Sequence, residues 1–228
     1  MRARALDLRV SERLGRVSGL WLEPSGAEVA LVLAHGAGAG MRHRFLEELA
    51  SALAERGVAT LRYQFPYSEK GRGRPDPPTV LVHTVEKAVA AARELTRLPL
   101  FAGGKSMGGR MSSTAVAEKG LPGLSGLVFF GFPLHPAGKP ATTRAEHLAA
   151  VEVPMLFLQG DRDRLAELDL LRPVLEPLGH RALLHVVEGA DHGFHVLKRS
   201  GRDDADVLTE LADTAAAWMR PSRPRIAP

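Results

Sequence analysis

The chain contains no cysteine, which excludes a disulfide framework, a thiolate metal site and a cysteine nucleophile. It also lacks any apolar run near the roughly 18–20 residues that span a bilayer. Its first residues, Met1-Arg-Ala-Arg-Ala-Leu-Asp7, lack the continuous apolar core of a signal peptide. Together these absences predict a cytoplasmic protein with no membrane partner. Positive charge is present but not organised. The net charge is +4, carried mostly by arginine, yet the basic residues are scattered, with neither a basic helical face nor interleaved aromatics. Nucleic-acid binding is therefore not expected, and Arg220, Arg223 and Arg225 read as part of a Pro/Arg-rich tail.

What is present is the balance of an ordinary globular domain: 228 residues, 45% hydrophobic and 25% charged. That length supports one substantial core. No repeat or linker divides it, so a single domain over 1–220 with a tail at 221–228 is expected. Apolar runs alternate with helical periodicities, which predicts an α/β chain with a mostly parallel central sheet and helices on both faces. Strands are expected at 6–10, 17–22, 28–34, 58–63, 100–103, 124–130, 154–159 and 182–187. Helices are expected at 45–56, 79–97, 107–119, 165–178 and 203–219, with a short one at 144–150. The proline-rich stretches 66–78 and 131–143 read as loops.

One segment concentrates chemistry. Leu100-Phe-Ala-Gly-Gly-Lys-Ser-Met-Gly-Gly-Arg110 reads as a strand, then Gly104-x-Ser106-x-Gly108, then a helix. Small flanking residues allow the sharp turn that presents a serine hydroxyl at a helix N-terminus. Three further segments fall at predicted strand ends: His35-Gly-Ala-Gly-Ala-Gly40, Gly160-Asp-Arg-Asp163 and Gly189-Ala-Asp-His-Gly-Phe-His195. Open α/β sheets gather their ligands outside the carboxyl ends of the strands. The order Ser, Asp, His differs from that of trypsin-like and subtilisin-like enzymes. Ser106 is the expected nucleophile, His192 the base and Asp163 the acid that orients it. Asp161 shares the loop with Asp163, and Asp191 adjoins His192; both are weaker candidates for the acid. The backbone N–H groups of Ala37 and Met107 are the expected oxyanion donors.

Rival motifs fail on single residues. A phosphate-binding GxxxxGK[ST] needs glycine where Pro99 stands, and a dinucleotide GxGxxG beginning at Gly36 needs glycine at Met41. His192 and His195 have no accompanying ligand cluster, so neither a metal nor any other cofactor is called for.

The same residues resemble a known family. His35-Gly-Ala-Gly38, Leu61-Arg-Tyr-Gln-Phe-Pro-Tyr67, Arg74-Pro-Asp-Pro-Pro78, Gly104-Lys-Ser-Met-Gly-Gly109, Gly131-Phe-Pro-Leu-His-Pro-Ala-Gly-Lys139, Gln159-Gly-Asp-Arg-Asp163 and Asp191-His-Gly-Phe194 resemble α/β-hydrolase-fold proteins of the dienelactone-hydrolase-like kind. The nearer subgroup shares a domain with a subunit of the non-specific-lethal chromatin complex and its testis-expressed homologue. The resemblance implies an α/β-hydrolase fold without a large cap domain, with Ser106, Asp163 and His192 as its triad. The chain departs from characterised dienelactone hydrolases at the nucleophile, serine here and typically cysteine there.

Two loops unlike generic hydrolase connections are expected to line the pocket. Arg62, Tyr63 and Tyr67 follow one strand, and His135 and Lys139 follow another. Of these, Arg62, Tyr67, His135 and Lys139 are the candidate substrate-binding residues, giving a cationic pocket suited to short or carboxylate-bearing esters. The expected activity is cleavage of small carboxylic esters, with a small-molecule substrate as the partner. The alternative is a catalytically weak binding or scaffold module on the same fold. The sequence does not specify an oligomeric state.

Overall fold

The computed structural model describes residues 2–220. Two antiparallel strands come first, β1 (Arg4–Ser11) and β2 (Gly15–Leu22), followed by β3 (Val29–Ala34) and α1 (Arg44–Glu55). Next are β4 (Val58–Tyr63), the short helix α2 (Pro66–Glu69) and the long helix α3 (Pro78–Leu95). The centre is β5 (Leu100–Lys105), α4 (Met107–Lys119) and β6 (Leu124–Phe130). A 3-10 segment (Thr143–Ala150) leads to β7 (Met155–Gly160), α5 (Leu168–Leu175), a second 3-10 segment (Glu176–Arg181), β8 (Ala182–Val187) and α6 (Asp204–Met219).

All eight strands join one sheet in the order β1-β2-β4-β3-β5-β6-β7-β8. The first two contacts, β1 with β2 and β2 with β4, are antiparallel; every contact from β4 to β8 is parallel. This is an α/β-hydrolase fold, mostly parallel, with helices on both faces and no large cap domain among the described residues.

The alternation of strand side chains divides the core. Ala30, Val32 and Ala34 of β3 face the cluster built with α3, α4 and α5, while Val29, Leu31 and Leu33 face the cluster built with α1 and α6. Both faces of β3 are thus covered, which is why it reads as an unbroken apolar run. On α3, Val82, Val85, Val89 and Ala92 form the buried stripe that the helical period predicts. Helix α6 starts at a capping box, with the Asp203 side chain accepting from the backbone of Asp206 and the Asp206 side chain accepting in return.

Two local expectations change. The stretch 66–78 is not all loop: Pro66 supplies the fixed φ of a first helical position, and α2 forms there. The expected helix 165–178 is shortened to α5 and the 3-10 turn after it. Asp163 accepts from the backbone N–H of Leu165, which keeps that segment in a turn.

Candidate active site

The turn between β5 and α4 is strained where the chemistry is expected. Ser106 has φ 52° and ψ −120°, a conformation that costs a non-glycine residue about 1–3 kcal/mol. Close packing holds it there. A Cβ on Gly104 would come within 2.2 Å of the Ala34 carbonyl oxygen, and one on Gly108 within 2.6 Å of the Ala34 and His35 carbonyls. The Ser106 N–H also donates to the Phe130 carbonyl at 3.2 Å, tying the turn to β6.

The turn meets two other strand-end loops. Ser106 Oγ lies 2.8 Å from His192 Nε2, and His192 Nδ1 lies 2.6 Å from Asp163 Oδ2. A carboxylate only accepts, so Nδ1 carries the proton and Nε2 is left to accept from the serine hydroxyl. Asp163 is 2% exposed, and its charge is compensated by donors. Gln159 Nε2 donates to Oδ2 at 2.5 Å and the Leu165 N–H to Oδ1 at 2.8 Å. Gln159 in turn accepts from the Phe132 N–H at 2.9 Å. Its signal in the sequence was a single amide in the otherwise apolar run Met155-Leu-Phe-Leu-Gln159, four residues before the acid.

Neither rival acid reaches the imidazole. Asp161 is exposed, with its backbone N–H on the Val187 carbonyl. Asp191 caps its own loop, where Oδ1 accepts from Gly193 at 2.8 Å and His195 at 3.0 Å. His195 turns outward to Asp204 of α6 at 2.8 Å, away from any pairing with His192.

His35 organises the loop opposite. It is fully buried, with Nδ1 donating to the Gly36 carbonyl at 2.8 Å and Nε2 accepting from the Phe65 N–H at 3.1 Å. Burial pulls its pKa down to about 4, so the ring is neutral and its tautomer fixed. Ser68 Oγ donates to the Ala39 carbonyl at 3.1 Å, and Gln64 Oε1 accepts from the Met41 N–H at 3.0 Å. The loop holding Ala37 is therefore pinned by the residues after β4. Met107 is the first residue of α4, where the N–H has no preceding helical carbonyl to meet.

These elements enclose a cleft of about 340 Å³ that includes Ser106 and His192. Ala37, Ala39, Phe45, Leu46 and Leu165 make its wall largely apolar, with the exposed His43 beside it. None of the four expected substrate-binding residues lines it. Arg62 is buried, donating to the Met41 carbonyl at 3.0 Å with Glu47 at 3.5 Å. Tyr67 is packed behind the cleft, its hydroxyl 3.4 Å from the Gly36 carbonyl. His135 is buried between Glu167 Oε2 at 2.5 Å and the Pro136 carbonyl at 2.9 Å. Lys139 is exposed in a turn. The four residues expected to make a cationic pocket thus lie outside the wall of this largely apolar cleft. The lysine on its wall is Lys105, whose place beside the nucleophile no sequence motif signals.

A second serine–histidine contact involves the same helix. Ser113 of α4 lies 2.7 Å from His147 Nε2 and donates to the Arg110 carbonyl at 2.9 Å. Burial pulls the His147 pKa down to about 4, assisted by the charge of Arg110.

Known structures share this architecture. A lidless α/β serine hydrolase from Xanthomonas campestris is 21% identical, with 98% of each chain covered and a TM-score of 0.75. A dienelactone hydrolase from Anabaena variabilis is 22% identical, with 95% of this chain and 96% of that one covered and a TM-score of 0.76. A protein from Thermus thermophilus is 25% identical, with 97% and 100% covered and a TM-score of 0.67. The strand-end geometry, the cleft and these likenesses agree with a family model described as an alpha/beta hydrolase domain, which matches residues 27–220; the chain belongs to that family.

Proposed function

We propose that this protein is a serine hydrolase that cleaves small carboxylic esters through an acyl-enzyme intermediate. The observation that carries this reading is the hydrogen-bonded series Ser106–His192–Asp163 at a strained turn opening into the cleft. As Ser106 Oγ attacks the acyl carbon, its proton moves to His192 Nε2. The imidazolium is stabilised by Asp163 and then protonates the departing alcohol. Water, deprotonated by the same nitrogen, releases the acid and restores the serine. The N–H groups of Ala37 and Met107 would hold the tetrahedral oxyanion.

The apolar wall favours a short, neutral acyl group over an anionic one. The Xanthomonas neighbour is a serine hydrolase and the Anabaena neighbour a dienelactone hydrolase, which supports hydrolysis. The motifs quoted above support placing the chain in the subgroup that includes the chromatin-complex subunit. A scaffold role would be favoured by a blocked cleft, but Phe132 and Tyr67 pack in the core instead. No helix among the described residues is long and apolar enough to cross a membrane; with the absence of cysteine, this supports a cytoplasmic site of action.

A fluorophosphonate probe tests the nucleophile directly. Wild-type protein should be labelled, and Ser106→Ala should not be, with an unchanged circular dichroism spectrum. Labelling that persists in the alanine variant, or an unreactive wild type, overturns the assignment.

A further inference from the structure

Lys105 precedes the proposed nucleophile, and neither the serine chemistry nor the oxyanion donors use its side chain. The residue is part-buried, and its ammonium lies inside the site. Nζ donates to the backbone carbonyl of His192 and stands 5.1 Å from the centre of the Phe194 ring. That ring is itself fixed, stacked on Phe45 of the cleft wall at 5.7 Å, and Phe194 has φ 64°. Gly131 at the end of β6 makes the room. A Cβ there would come within 3.0 Å of Lys105 Nζ and 3.5 Å of His192 Cε1 and Nδ1. The cation and the imidazole therefore lie side by side above one glycine.

A charge in this position costs desolvation that an apolar side chain would avoid. Its hydrogen-bond acceptor and its ring partner are both on the loop that carries the base. We propose that Lys105 is a positioning residue: it clamps residues 188–195 to the end of β5 and so sets where the His192 imidazole meets Ser106. This deepens the hydrolase reading and rests on it.

The clamp has a pH signature. Withdrawal from water pulls the Lys105 pKa down to about 8, while Asp163 and Asp191 pull it up. The titratable groups facing it are Asp163 from the loop after β7 and Asp191 and His192 from the loop after β8, with His43 also on the cleft wall. Below about pH 8 the ammonium makes a charge-assisted hydrogen bond and a cation–π contact. Above it the neutral amine holds the carbonyl more weakly and loses the ring contact.

The test is a pH–rate profile of p-nitrophenyl acetate hydrolysis for wild type, Lys105→Arg, Lys105→Gln and Lys105→Met, each checked by thermal melting. Wild-type kcat should decline above about pH 8. Arginine stays charged, so Lys105→Arg should retain activity and lose the alkaline decline. Lys105→Gln and Lys105→Met should lose about 10–100-fold in kcat with KM within about threefold, and show no alkaline decline. A decline that persists unchanged in the Gln variant, or Gln and Met variants as fast as wild type, overturns the proposal. If the methionine variant fails to fold, the Arg and Gln variants decide alone. Amide exchange of residues 190–196 at one pH gives a readout independent of turnover. It should be faster in Lys105→Gln than in Lys105→Arg, and equal protection in the two overturns the clamp. A wild type that neither hydrolyses nor labels overturns the hydrolase reading, while the exchange comparison still decides the clamp.

Discussion

Ser106 and Ser113 stand about two turns apart, one at the N-cap of α4 and the other inside it, and each has a histidine nitrogen within 2.8 Å. Their surroundings differ. Behind His192 stands a buried carboxylate with two further donors; among the described residues no carboxylate bonds to His147. Ser106 is held at positive φ on a cleft wall, whereas Ser113 has helical geometry and spends its proton on the Arg110 carbonyl. His147 is pulled toward neutrality by burial and by Arg110, which disfavours the imidazolium that acyl transfer requires. A serine–histidine contact alone is thus a packing device, here joining α4 to the 3-10 turn. It becomes a plausible acyl-transfer pair only with an acid behind it, strain beneath it and space in front.

The sharpest way to break this contrast is to remove each hydroxyl. Ser106→Ala should lower p-nitrophenyl acetate turnover by about 10⁴-fold or more. Ser113→Ala should leave turnover within about threefold and lower stability by about 1 kcal/mol, because the His147 nitrogen loses a partner. Comparable losses of turnover in the two variants would sink the distinction.

The acid is the next largest effect. Asp163→Asn keeps the shape but removes the charge and the tautomer control, so kcat should fall by about 10³–10⁴-fold. If steady-state kinetics show less than a tenfold loss, Asp163 is not the orienting acid.

A smaller effect concerns the loop opposite. Folded His35 protonates near pH 4, whereas the unfolded ring takes its proton near 6.5. Its stabilisation is complete above 6.5 and is lost as pH falls toward 4, by about 3 kcal/mol in all. His147 acts in the same window, but its part-exposed ring contributes less. Urea midpoints measured from pH 7 to 4 should therefore fall less steeply in His35→Gln than in wild type. An unchanged slope would contradict the fixed neutral tautomer.

The smallest effect tests the pocket's charge. Lys139→Ala should leave the ratio of activity on neutral and anionic short esters within about twofold, because the residue is exposed and outside the cleft wall. A larger drop on the anionic ester alone would restore the cationic pocket.

Much of this molecule is legible in its sequence. The first two strands follow from amphipathic alternation and the other six from apolar runs a few residues long, and the parallel sheet follows from the alternation of those runs with helical stripes. Ser106, Asp163 and His192 were legible because each sits in a glycine-containing segment directly after a strand, where chain order alone implies a shared end of the sheet. The placement of Arg62, Tyr67, His135 and Lys139 outside the cleft wall was not legible, for the opposite reason. Their direction depends on how proline-rich loops fold back, and partners such as Met41 and Glu167 lie far along the chain.

By itself, then, the sequence determined the layer order, the elbow and the candidate Ser–His–Asp set, because these depend on local periodicity and on residues that fix the backbone. Only the tertiary structure decided which acid faces His192, that the cleft is apolar, and that Lys105 turns inward to the histidine loop. Those outcomes depend on approaches of a few ångströms between loops from different strands: Gly104 and Gly108 against β3, and Gly131 beneath the cation and the imidazole. No single segment carries that information.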